Sequence, residues 1–138
     1  MIPRGRPVVD GAGAARILGI AYKTFRNTRV VTDPAFPAPV NPGRRKLLYD
    51  EEQVRAYAAE KPLPELPTGE HPDDLLDDQE AADVLRVAYA TIRADRRAGR
   101  LPEHVDVLGV PHYRRADLER VPTEMRPGRG VGGGRPRG

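Results

Sequence analysis

The chain writes one stretch twice. Asp10–Asn27 reads DGAGAARILGIAYKTFRN and Asp77–Ala94 reads DDQEAADVLRVAYATIRA, at a constant offset of 67 residues. Ala14 and Ala15 fall on Ala81 and Ala82, Leu18 on Leu85, Ile20 on Val87, Ala21 and Tyr22 on Ala88 and Tyr89. Thr24 falls on Thr91, Phe25 on Ile92 and Arg26 on Arg93. A repeat at a fixed period sets the architecture before any single element is assigned. It predicts two similar modules, each holding a short helix, a tight turn and a second helix.

Composition limits what those modules can be. Of 138 residues, 38% are apolar, and 15 prolines and 14 glycines interrupt them. One large core is out of reach, whereas two modules of roughly 50 residues fit. With no cysteine, disulfides and thiolate metal sites are excluded. His71, His104 and His112 are scattered among prolines and loops, so no metal site is expected. There is no Gly-rich phosphate loop with a lysine and no carboxylate cluster with a histidine partner in sequence. The chain therefore reads as a non-enzyme that needs no cofactor. It begins without a signal-peptide pattern and has no long apolar run, so a cytoplasmic, nucleoid-associated location is expected, with no membrane partner.

Charge is informative in its distribution. The net value is only +3, and arginine dominates lysine in a chain rich in Ala, Gly and Pro. That balance fits a GC-rich coding bias, so arginine content alone carries no argument. Residues 1–61 hold 11 Arg/Lys against 6 Asp/Glu, residues 62–78 hold 6 acids and no base, and residues 79–124 hold 8 of each. Four more arginines lie in residues 125–138. A polyanion would be drawn to the first module and both ends, and repelled from the connector.

Residues 1–8 read as a disordered basic arm. Pro3-Arg4-Gly5-Arg6-Pro7 has the letters of the AT-hook core. The hook resemblance implies that Arg4 and Arg6 lie in a narrow minor groove; a generic phosphate-binding arm is the other reading.

The first module is expected over residues 9–61. Asp10 is placed to cap a helix over Val9–Leu18, whose Ala14, Ile17 and Leu18 form an apolar stripe. Gly11 and Gly13 weaken that helix by roughly 1 kcal/mol each, and Gly19 suits a left-handed turn. A second helix over Ala21–Val30 buries Phe25 and leaves Tyr22, Lys23, Thr24, Arg26, Asn27 and Arg29 outside. Two helices joined this tightly, the second carrying donors, describe a helix-turn-helix, whose second helix enters the major groove. There Lys and Arg can bond guanine and Asn adenine. The alternative is an ordinary solvated face. Phe36–Val40, Asn41–Arg45 and Lys46–Tyr49 then read as strand, turn and strand, with Arg44, Arg45 and Lys46 making a basic wing. Asp50 and Gln53 are expected to form a capping box for a last helix.

Residues 62–75 read as a Pro-rich acidic linker without helix or strand. About 14 residues at roughly 3 Å each span on the order of 40 Å, against about 34 Å for one DNA turn. An inert spacer is the plainer reading. The second module is expected over residues 76–122. Asp77 and Glu80 form its capping box, and Tyr89, Thr91, Arg93, Arg96 and Arg97 occupy its second helix. Its wing, Asp106–His112, holds no Arg or Lys. Residues 123–138 read as a disordered Arg/Gly-rich tail.

Glu80-Ala81-Ala82, Leu85-Arg86-Val87, Thr91-Ile92-Arg93, Gly99-Arg100-Leu101-Pro102 and Tyr113-Arg114-Arg115-Ala116-Asp117-Leu118 follow one another in the second copy. In that order they resemble the MerR-like, excisionase-type winged helix-turn-helix family. The resemblance covers about 45–50 residues per copy, and the first copy matches more loosely. It departs at Ala21 and Ala88, where the family caps its second helix with Ser or Thr, at Gly13, and at Arg86, which stands where a turn glycine is usual. It implies a mainly α fold with small β-hairpin wings, in two tandem winged helix-turn-helix modules flanked by disordered basic arms. It implies sequence-specific binding of double-stranded DNA, as a transcriptional regulator or an excisionase-like accessory factor of a mobile element. A recombinase or another DNA-bound protein then enters as partner, together with self-association on DNA. Two other functions stay open: a segregation factor coating tandem sites, and an adaptor whose second module uses its apolar wing to bind protein.

Overall fold

Aspartate carboxylates start three of the helices, and each unit is built outward from them. The structure, a computed structural model, describes residues 1–27 and 30–121. Its contacts divide the chain into two units, one of Ile2–Gly69 and one of Met1 together with Glu70 onward. Among the described residues there are six helices and two small antiparallel sheets. None of these helices is long and apolar enough to cross a membrane.

In the first unit, α1 (Gly11–Leu18) begins where Asp10 accepts the Gly13 N–H at 2.8 Å. It stops at Gly19, whose φ of +76° is left-handed. α2 (Tyr22–Asn27) follows directly, and a 3-10 turn occupies Val30–Thr32. α3 (Glu51–Ala58) begins where Asp50 accepts the Gln53 N–H at 3.0 Å. Such caps contribute about 1 kcal/mol each. β1 (Val8–Val9) and β2 (Tyr49–Asp50) pair antiparallel, Val8 opposite Asp50 and Val9 opposite Tyr49. Ala14, Ala15, Phe25, Phe36, Tyr49 and Val54 form the core.

Four expectations for this region need correction. The arm over residues 1–8 is not disordered: Val8 joins β1, and the Pro7 carbonyl accepts the Glu51 N–H at 2.9 Å. Phe36–Tyr49 forms no hairpin ladder, because Pro37, Pro39 and Pro42 have no N–H to give one. In its place, Val40 N–H bonds the Leu48 carbonyl at 2.8 Å, and buried Asn41 supplies two more bonds from its side chain. Its Nδ2 donates to the Lys46 carbonyl at 2.9 Å and its Oδ1 accepts the Leu48 N–H at 2.8 Å. Gln53 does not close a capping box; its Nε2 donates to the Pro64 carbonyl at 2.8 Å. Finally, the linker does not run to Leu75. Leu75 pairs with Arg114, and the Pro72 and Asp74 carbonyls accept the N–H groups of Ala116 and Arg115 at 2.9 Å each. The connector is therefore shorter than the reach argument assumed.

The second unit has a fuller sheet. β3 (Leu75–Asp77), β4 (Val105–Val107) and β5 (Val110–Arg114) lie in the order β3-β5-β4, all antiparallel. α4 (Asp78–Leu85) starts in a complete capping box: Asp77 accepts the Glu80 N–H, and Glu80 accepts the Asp77 N–H, both at 2.9 Å. α5 (Tyr89–Arg97) has no side-chain cap, as Ala88 dictates. α6 (Arg115–Glu119) closes the unit over Leu76, Ala81, Leu85, Ile92, Tyr113 and Leu118. Arg86 does adopt the left-handed turn, at φ +59°, which costs a non-glycine residue on the order of 1 kcal/mol.

Candidate nucleic-acid interface

Aromatic packing fixes how the first unit presents α2. Phe25 is buried, and its ring meets Phe36 and Tyr49 edge-on at 5.8 and 6.1 Å. Phe36 in turn meets Tyr49 at 5.4 Å and Tyr57 at 5.1 Å. Contacts of this kind add roughly 0.5–1.5 kcal/mol each beyond area burial. With Phe25 held inward, the helical period turns Lys23, Thr24, Arg26 and Asn27 outward, and all four are exposed; Tyr22, three residues before Phe25, shares its side of the helix and is still 49% exposed.

A groove of about 580 Å³ opens beside this face. Its lining includes Tyr22, Phe25 and Arg26 of α2, Arg45 and Lys46 of the loop, Tyr49 of β2 and the carboxylate-bearing Asp10. The absence of a hairpin does not separate the basic loop from the helix, because Asn41 holds the loop's ends together. The Arg26 guanidinium carbon sits 5.7 Å from the Tyr22 ring centroid, within cation–π range. Lys46 Nζ lies 3.7 Å from Asp10 Oδ2, so the cap of α1 also tethers the loop. Lys23, Thr24 and Asn27 share the helix but do not line the groove. Arg44 is half-buried and donates to the Pro42 carbonyl at 3.3 Å, outside the groove. Arg29 and the Arg/Gly tail lie outside the described residues.

Gly11 belongs to this site, although its sequence role is only that of a helix-weakening residue. A Cβ there would stand 2.8 Å from Tyr22 Cε1. The glycine lets the Tyr22 ring lie over the start of α1. Gly13 does the same for Val9, whose Cβ would be 2.9 Å away. No one-dimensional pattern marks either contact.

Arg6, expected in a minor groove, is held within the fold instead. Its Nε and Nη2 donate to Asp50 Oδ1 and Oδ2 at 2.8 and 2.7 Å, and Nη1 lies 3.1 Å from Glu52. The Asp50 hydrogen bonds raise its pKa above the ordinary arginine value, and Glu52 adds to the shift. Asp50, fully buried, therefore caps α3 and anchors the arm with one carboxylate. Arg4 is exposed, but an Arg-Gly-Arg strip with one arginine so held cannot lie flat in a minor groove.

In the second unit, Ile92 and Asp95 anchor α5, and Tyr89, Arg93 and Arg97 are exposed at i, i+4 and i+8. Thr91 is half-buried. Arg96 is a second correction. Its Nη1 donates to Asp78 Oδ1 at 2.5 Å and to the Tyr113 hydroxyl at 3.1 Å. Asp78 raises its pKa, the hydrogen bond outweighing burial. The sequence did carry the signal: 92, 95 and 96 share one face at helical spacing, so an arginine four residues after a core isoleucine turns inward. Arg86 is a surface cation that the sequence reading left out of the interface. It is exposed at the turn before α5.

The β4–β5 hairpin carries no Arg or Lys between Val105 and Tyr113, and Val105 and Leu108 are exposed at its end. Among the described residues no cluster of three or more His, Asp or Glu could hold a metal ion. Comparison with models of known protein families, with characterised proteins and with solved structures found no match for this chain.

Proposed function

We propose that this protein binds double-stranded DNA in a sequence-dependent way through two winged helix-turn-helix-type units. It would serve as a transcriptional regulator or as a recombination accessory factor of the excisionase kind. The observation that carries the reading is the groove of the first unit, which exposed Tyr22 and Arg26 on α2 line together with Arg45 and Lys46 on the loop before β2. A helix with side chains capable of base contacts, flanked by loop cations that meet phosphates, suits major-groove docking. In the second unit the Tyr89, Arg93 and Arg97 stripe supports a weaker contact of the same kind, made through the helix alone.

Selection of bound duplexes from a random pool, followed by footprinting, tests this. The reading expects a defined site and an affinity that falls steeply with salt. It expects two protected patches if both units engage and one if only the first does. Equal binding to all sequences, or an Arg26→Ala protein that binds the selected site as tightly as the wild type, would remove the first-unit assignment. A second reading, in which the second unit faces protein, rests on its cation-free hairpin with exposed Val105 and Leu108. An Arg93→Ala/Arg97→Ala protein that keeps the full footprint would favour it.

A further inference from the structure

One edge of β4 is covered by β5, and among the described residues the other is bare. The hairpin's register tells which backbone groups lie on the bare edge. Leu108 and Gly109 form a two-residue turn with φ of +54° and +84°. The flanking pair, Val107 and Val110, therefore makes the hydrogen-bonded closing rung. Rungs alternate, so Asp106 and Pro111 face each other without hydrogen bonds between them. Pro111, which has no N–H, fits only such a place. The N–H and C=O of Asp106 consequently point outward; His104 immediately precedes β4, and extending the strand's two-residue period by one step turns its N–H and C=O the same way. Neither residue makes a backbone hydrogen bond to a turn or loop among the described residues.

The side chains narrow the choice of partner. His104 Nε2 lies 3.4 Å from Asp106 Oδ1, so the two share one face of the strand. Val105, 47% exposed, points to the other face. An antiparallel strand docking here must offer its own outward-pointing residues to His104 and Asp106. A second β4 does so when Val105 meets Val105: each His104 then faces the other copy's Asp106, twice over by symmetry. The next register would set Asp106 against Asp106, and like charges directly opposed are unfavourable. The contact is self-complementary and closes at two copies, joining two three-stranded sheets into one of six strands.

We propose that the outer edge of β4 is a self-association surface whose occupant is a second copy of this chain, paired antiparallel with Val105 on Val105 and His104 opposite Asp106. Strands this short bury little area, so the association is weak, with Kd roughly 0.1–1 mM. It requires no nucleic acid and stands or falls apart from the DNA reading.

The full chain without DNA provides the test. Sedimentation equilibrium should show a monomer–dimer equilibrium at concentrations up to about 1 mM. In a non-hydrogen-bonded rung the two Val105 Cα atoms lie about 4.5 Å apart, within disulfide reach. The chain has no cysteine of its own, so Val105→Cys should cross-link under mild oxidation much faster than Leu108→Cys. Asp106→Lys should weaken the dimer about tenfold, and adding His104→Asp should restore it by reversing both pairs. Each of three results overturns the proposal: a monomer throughout, equal cross-linking at 105 and 108, or no rescue in the double variant.

Discussion

Arg96→Met separates a structural arginine from those proposed to face DNA. The substitution keeps an unbranched apolar stem at this position and removes the guanidinium. Arg96 Nη1 donates to Asp78 Oδ1 at 2.5 Å and to Tyr113 Oη at 3.1 Å, with the Arg96 and Asp78 side chains 23% and 11% exposed. Hydrogen bonds donated by a charged guanidinium in such a place are worth about 1.5–3 kcal/mol each. The methionine regains part of that by packing, leaving a loss of about 2–4 kcal/mol. Against the 5–10 kcal/mol expected of a small domain, at the low end of about 5–15, that is a large share. Residue-resolved amide hydrogen exchange on the full chain reads each unit separately. Opening energies in the second unit should fall by about 2–4 kcal/mol, and those in the first should hold. Arg93→Ala should do the reverse, leaving exchange unchanged and weakening DNA binding.

Tyr113 gives a second readout. Burial pushes its phenol pKa up and Arg96 partly opposes the shift, so Arg96→Met should raise it further. Because the folded pKa is raised, the stability from keeping the phenol neutral is complete below the ordinary tyrosine range. It is lost as pH rises through the folded value, and the variant should lose it at higher pH. The reasoning fails if Arg96→Met changes exchange by less than about 0.5 kcal/mol yet costs as much DNA affinity as Arg93→Ala.

Arg26→Ala should weaken binding to a selected duplex by about 1–3 kcal/mol and relax discrimination at one base pair; Arg45→Ala should weaken all sequences alike and lower the salt slope by about 1, both read by fluorescence anisotropy. Gly19 and Arg86 share the left-handed turn, so exchanging the residue types tests its cost: Gly19→Ala, with no atom within 4 Å of the new Cβ, should destabilise the first unit by about 1 kcal/mol through backbone strain. Arg86→Gly should change the second unit by less than about 1 kcal/mol, strain relief opposing added unfolded-state freedom, as measured by hydrogen exchange. The Ala35 N–H, and after it the Tyr57 hydroxyl, holds the Asp33 pKa below the usual carboxylate value. Tyr57→Phe should therefore raise it part of the way back in an NMR titration. The stability tied to Asp33 is present above the ordinary carboxylate pKa and disappears as pH falls through the lowered one, so the variant should show a smaller loss in acid.

Local chemistry made some of this protein readable in one dimension. Asp10, Asp50 and Asp77 are short acceptors placed before apolar periodic runs, and each caps the helix expected of it. Gly19 ends α1 in the left-handed turn that its lack of a Cβ allows. The 67-residue offset marked the paired helices because packing two short helices constrains the same few positions in each copy. The outward placement of Arg26, Arg93 and Arg97 follows from the helical period once Phe25 and Ile92 are inside; Tyr22 and Tyr89, each three residues before a core residue, share its side of the helix, and their exposure is a tertiary outcome.

Tertiary structure decided which charges were already taken and which segments had partners. Arg6 is 44 residues from Asp50, Arg96 is 18 from Asp78, and Leu75 meets Arg114 across the unit. No periodicity records such pairings, because a guanidinium's partner depends on where the chain returns. Whether a proline-rich stretch becomes a hairpin is likewise settled by which N–H groups remain and what substitutes for those missing. In the first unit the substitute was one buried asparagine. The sequence placed the helices and their outward faces; only the folded chain determined which arginines on them remain available to a partner.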